Sequence, residues 1–132
     1  MAEILQPANW PRPKGYSNGL VVSGRQVFLS GMIGWDASGS LVSNEFAAQV
    51  RQALRNIVDL LSQAKAGPEH IARMTWYVVS RQEYLACSQE IGLSYREIIG
   101  RHYPAMSVVE VSALLEAGAR VEIEVTAVIP EP

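Results

Sequence analysis

The chain has 132 residues, a length that folds as one domain burying roughly two-thirds of the surface its unfolded form exposes. Its 11 basic and 13 acidic side chains are interspersed and sum to a formal charge of −2, so charge implies no nucleic-acid partner. The lone Cys87 cannot close an internal disulfide, no apolar run reaches the length of a membrane span, and the first residues lack the basic and apolar regions of a leader; the expected location is the cytoplasm, with no membrane partner.

Residues Met1 to Tyr16 hold Pro7, Pro11 and Pro13, each of which removes a backbone donor and favours extended geometry before it. They read as an extended arm (1–14) ahead of a single domain, with Trp10 either anchoring it to the body or meeting a neighbouring molecule. Gly19 to Val22 and Gln26 to Ser30 read as a hairpin turning about Ser23-Gly24-Arg25. From about Asn44 to Lys65, Phe46, Val50, Ala53, Leu54, Ile57, Val58, Leu61 and Ala64 recur at helical spacing, capped by Ser43 or Asn44 and stopped at Gly67-Pro68. Ile71 to Val79 is a strand rich in β-branched and aromatic residues. Ser80-Arg-Gln-Glu83 has the form of a capping box that opens a second helix, ending at Gly100.

The last quarter holds two further strands, Ala105 to Val111 and Arg120 to Ile129. Alternation places Met106, Val108 and Glu110 on one face of the first. In the second, Val121, Ile123, Val125, Ala127 and Ile129 oppose Arg120, Glu122, Glu124 and Thr126. Paired carboxylates on an otherwise apolar strand need a cation, hydrogen bonds or water, which makes this segment the first place to look for chemistry. Two helices on one face of a mixed sheet make an α+β fold. The first of these strands is apolar on both faces, so the second face of the sheet needs a cover.

Pro104-Ala105-x-Ser107-x-Val109-Glu110-Val111 followed by Val121-Glu122-Ile123-Glu124-x-x-Ala127 resembles the C-terminal signature of the Rid family, the reactive intermediate deaminases also called YjgF. Gly15-Tyr16, Val27-Phe28-Leu29-Ser30-Gly31 and the helix from Gln49 to Ile57 resemble the same family in the same order, so the likeness runs from Lys14 onward. It implies a chorismate-mutase-like fold and a homotrimer with a small site in each cleft between subunits. The activity it implies is cofactor-free hydrolysis of enamines and imines, such as 2-aminoacrylate, to a keto acid and ammonia.

By the same resemblance Glu122 orients the attacking water, and Tyr16, Ser30 and Gly31 shape the substrate site. Taken alone, Glu122 reads as a solvated strand carboxylate, Tyr16 as arm packing and Ser30-Gly31 as a strand end. The main departure is Met106, where the family usually carries an arginine that grips the substrate carboxylate in a bidentate fork. Val108 stands where deaminating members commonly have cysteine, and Gly92 where many have asparagine. The expectation is a branch lacking the carboxylate-binding arginine, whose substrate-binding wall of Met106 and Val108 takes a less anionic or more apolar ligand. Arg12, Lys14, Arg25 and Arg73 are candidate replacement cations. A non-catalytic trimer that binds a small metabolite or a protein is the alternative. His70, His102 and Cys87 lack the spacing of a metal site, and Cys87 reads as a buried small hydrophobe.

Overall fold

The computed structural model describes residues 2–132, so Met1, the first residue of the expected arm, lies outside the described residues. In chain order the elements are β1 (Glu3–Leu5), β2 (Gly19–Val21), β3 (Arg25–Phe28), α1 (Phe46–Gln63), β4 (Ile71–Val78), α2 (Arg81–Ala86), α3 (Ser88–Ile98), β5 (Ala105–Glu110) and β6 (Val121–Ile129). The main sheet has the order β3-β6-β4-β5, with β4 and β5 parallel and the other neighbours antiparallel. The parallel pair needs a crossover, which α2 and α3 supply. The fold is the expected α+β class with a mixed sheet.

Alternation builds the core. Met74, Trp76 and Val78 of β4 lie opposite Val125, Ile123 and Val121 of β6, and all six are at most 1% exposed. The buried stripe of α1, from Phe46 through Val50, Ala53, Leu54 and Ile57 to Leu61, joins them in one cluster. The other face of the same strands carries Thr75, Tyr77, Glu122, Glu124 and Thr126, and no helix among the described residues packs on it.

Several expectations are corrected. β2 and β3 do not pair with each other: β2 pairs with β1, a strand within the expected arm, and β3 pairs with β6. Gly24, at φ 148°, is required because a Cβ there would lie 2.0 Å from the Ile129 carbonyl oxygen, not because it turns a hairpin. The second helix is broken at Cys87 into α2 and α3, so the described residues hold three α-helices where two were expected. Ser80 Oγ does accept from the Glu83 N–H at 3.1 Å, but the Glu83 carboxylate takes the Arg120 Nε–H at 2.7 Å in place of the Ser80 amide. Neither Ser43 nor Asn44 caps α1. Its N-cap is Glu45, and Ser43 Oγ accepts the Glu45 N–H at 2.9 Å just ahead of it. Lys65, at φ 58°, ends the helical path before Gly67 is reached. The Glu110 carboxylate accepts the Arg81 backbone N–H at 2.7 Å, at the start of α2.

The polar side chain most important to this architecture is Gln49, which is fully buried on α1. Its Nε2 donates to the Ser43 and Gly118 carbonyls at 2.8 and 3.0 Å, and its Oε1 accepts the Arg120 N–H at 2.7 Å. One amide thus ties the entry to α1 to the loop that leads into β6. Gln49→Ala leaves three backbone groups without partners, and each unsatisfied buried group costs about 1–3 kcal/mol. The variant is expected to lose at least ~2 kcal/mol in urea unfolding at fixed protein concentration; an unchanged midpoint would show that water replaces the amide freely.

Candidate functional site

On the helix side of the sheet, β5 and α3 border an open cavity of about 470 Å³. Its floor is set by register. Met106 and Val108 pair with Met74 and Trp76 in the parallel β4–β5 ladder and therefore project to the same side as those core residues. One wall is α3, where Ile91, Gly92 and Tyr95 face the cavity. Tyr16 stands at its edge because the residue after it is pinned there. The Ser17 N–H donates to the Pro104 carbonyl at 3.0 Å, Ser17 Oγ donates to the Tyr103 carbonyl, and Gly15 takes φ 83° just before it.

The lining is strongly aromatic. Trp76 and Tyr84 meet edge to face at 6.0 Å, and Tyr95 and Tyr103 stack at 5.9 Å with planes 11° apart. Burial raises the pKa of the Tyr84 and Tyr95 phenols, so both are neutral around the cavity. The Tyr95 hydroxyl donates to the His102 carbonyl at 2.6 Å. Trp76 Nε1, by contrast, is a buried donor with no partner among the described residues.

Ser30, Gly31 and Glu122 form a second group on the opposite face. The Leu29 N–H donates to the Val125 carbonyl at 3.0 Å, and Met32 and Ile123 exchange both backbone bonds at 2.8 and 2.9 Å. Ser30 and Gly31 together therefore oppose Glu124 alone, a bulge that re-aims the backbone beside β6. A Cβ on Gly31 would lie 2.0 Å from Glu122 Oε2, so the carboxylate rests directly over the glycine. The space over Gly31 is taken by the Glu122 side chain. Across the ladder from Glu122 lies Tyr77, whose hydroxyl donates to Glu124 at 3.2 Å. The Glu124 charge is the largest cause raising the Tyr77 pKa, followed by burial. No side chain among the described residues hydrogen-bonds Glu122.

The structure thus gathers Tyr16, Met106 and Val108 at one place and Ser30, Gly31 and Glu122 at another, with the sheet between them. Gly92 and Lys14, singled out from sequence, do border the cavity, whereas Arg12, Arg25 and Arg73 do not. Arg96 borders it too and was missed; its only sequence mark is its place four residues after Gly92 and next to Tyr95. No group of three or more His, Cys, Asp or Glu side chains suited to a metal is found among the described residues. The His70 ring accepts the Gly67 N–H, and His102 bonds the Ile71 carbonyl, so both are used structurally. Burial, the largest cause, raises the Cys87 thiol pKa, which disfavours a thiolate nucleophile. No helix among the described residues is long and apolar enough to cross a membrane.

Residues 9–129 match the family described as endoribonuclease L-PSP. A human protein named 2-iminobutanoate/2-iminopropanoate deaminase is 28% identical over 126 residues, covering 95% of this chain and 88% of its own. The protein of the same name from Bos taurus is 30% identical over 127 residues, covering 96% and 89%. Among solved structures, the Yersinia pestis protein YyfB, described as a Rid family member of unknown function, superposes with a TM-score of 0.83 at 31% identity and covers 97% of this chain and 98% of its own. Rv2704 from Mycobacterium tuberculosis, a member of the YjgF/YER057c/UK114 family, gives 0.65 at 33% identity, covering 88% of each chain. The mixed sheet with its helices on one face and the match across nearly all of the chain lead to one assignment: this protein belongs to the endoribonuclease L-PSP family, whose members include the Rid and YjgF proteins, and it has their fold.

Proposed function

We propose that this chain is a cofactor-free hydrolase of small enamines or imines, working as a homotrimer whose active sites lie in clefts between subunits. The observation that carries this reading is the division of the candidate residues between two faces of one sheet. Neither half is complete: the cavity has no carboxylate in its lining, and Glu122 lies over Gly31 outside that cavity. A second copy of the chain supplies the missing half to each. The open face also has reason to be covered, because Phe28 on it is 71% exposed and Val109 is 41% exposed. The named deaminases among the relatives support the reaction class. The family's other description, an endoribonuclease, is less favoured by a chain of net charge −2.

In this reading the cavity holds the body of the substrate and presents its C=N carbon at the rim. A protonated imine accepts water at carbon; the carbinolamine then expels ammonia and leaves a carbonyl compound. Glu122 holds the water and takes up its proton, a task of general base type. Ser30 and the backbone at the Gly31 bulge border the same place. Met106 and Val108 give the wall an apolar surface where the family usually has arginine and commonly cysteine, which shifts substrate preference toward apolar groups. The cavity by itself also suits a non-catalytic binder of a small metabolite, and turnover separates the two.

Glu122→Gln is expected to lower hydrolysis of in situ generated imines about 10²–10⁴-fold while mass by light scattering stays that of a trimer. Hydrolysis by the wild-type chain at the uncatalysed rate across carboxylated and uncarboxylated imines would favour the binding module instead. Gly31→Ala places a methyl group 2.0 Å from Glu122 Oε2, 2.6 Å from its Cδ and 2.7 Å from its Cγ, and is expected to displace the whole carboxylate side chain. Its hydrolysis rate should fall toward that of the Gln variant; full activity in Gly31→Ala would show that the observed carboxylate position is not the working one.

A further inference from the structure

We infer that Arg96 is the anion anchor of the cavity, and that the cavity takes a carboxylate joined to an aromatic or bulky apolar group. The inference rests on the proposed imine hydrolase for the reaction the ligand undergoes, but its binding claim stands on the cavity alone. Arg96 lies in the last turns of α3, and its Nη1 is 3.4 Å from the point where a Cβ on Gly92 would sit. The guanidinium therefore folds back along the helix over a position bare of side chain, four residues earlier, and reaches the cavity border. Glycine is disfavoured in a helix interior; a methyl group at Gly92 would meet Arg96 at ordinary contact distance, and only a larger side chain there would crowd the guanidinium.

Arg96 is also uncommitted. Arg51 and Arg120 are paired with Glu97 and Glu83 at 2.6 and 2.7 Å, whereas Arg96 makes no ion pair or side-chain hydrogen bond among the described residues. Lys14, at the same cavity, is likewise unpaired there, and no acidic residue contributes to the lining. Two exposed cations at the border of a cavity to which their own chain contributes no acid favour an anion there, and a guanidinium binds a carboxylate through a two-pronged fork. The rest of the ligand follows from the walls. The stacked Tyr95–Tyr103 pair, Tyr84, Met106 and Val108 offer flat and apolar surface. A volume of about 470 Å³ falls in the range of ordinary small-molecule sites and exceeds what a three-carbon imino acid fills. Trp76 adds a buried N–H still without an acceptor. The carboxylate anchor has thus moved from the strand, where Met106 stands, to the neighbouring helix.

The test uses stable oxo acids that cannot be turned over. Phenylpyruvate, pyruvate and the uncharged phenylacetone are titrated calorimetrically against the wild-type trimer, Arg96→Met and Gly92→Leu. The wild type is expected to bind phenylpyruvate at least tenfold more tightly than either of the others. Arg96→Met should lose roughly thirtyfold or more toward phenylpyruvate, with little change toward phenylacetone. Gly92→Leu, which keeps the charge but fills its path, should lose phenylpyruvate as well. Unchanged phenylpyruvate affinity in Arg96→Met, an equal loss of all three ligands, or no binding of any by the wild type overturns the assignment. If phenylpyruvate binds as expected but no imine is hydrolysed, the anchor stands and the proposed reaction fails.

Discussion

The alternation of side chains across one sheet constrains everything else about this protein. Parallel pairing with β4 sends Met106 and Val108 to the helix side, together with Met74 and Trp76. Antiparallel pairing with the same β4 sends Glu122 to the opposite side, together with Tyr77. A slip of one residue in β6 would carry Glu122 and Glu124 into a core where Val121, Ile123 and Val125 are at most 1% exposed. Burying two unpaired carboxylates there is prohibitive, so the register is fixed and so is the separation of the two groups. No rotamer change within one chain brings them together.

Position on β6 is secured from a distance. Gln49 bonds Gly118 and Arg120 on the approach to the strand, and Arg120 is held again by Glu83 of α2. Glu122 follows two residues later. The Ser30–Gly31 bulge is located in turn by the reciprocal bonds of Met32 and Ile123. The placement of the candidate water-holding carboxylate therefore depends on a buried amide of α1 and on the pairing of the bulge. The cavity depends on different parts, namely α3, β5 and the pinned Tyr16 segment. Each half has its own structural support, which suits a site assembled by association.

Much of the fold could be read from sequence because local patterns report local structure. The 2.0 period of Val121 to Ile129 marked both the strand and its buried face, and the stripe from Phe46 to Leu61 marked α1. Pairing partners were less legible, since alternation identifies a strand without naming its neighbour; the expected β2–β3 hairpin failed for that reason. The break at Cys87 has no Gly or Pro to announce it. Gln49 and Arg96 were passed over because polar residues read as surface until neighbours distant in sequence are known. Of the candidate site, family resemblance supplied the residue names, while only the register revealed that they occupy two faces.

The central claim is that a working site draws its cavity from one subunit and Glu122 from another. The most direct measurement mixes two inactive chains, Glu122→Gln and a Val108→Trp chain whose cavity is blocked, after reversible dissociation and reassembly. Random mixing in equal amounts should restore roughly a quarter of the wild-type sites, because each site then needs one intact cavity and one intact carboxylate from different chains. Imine hydrolysis that rises toward that level supports the account. Activity that stays at the level of the separate variants, in trimers shown to contain both chains, would contradict it.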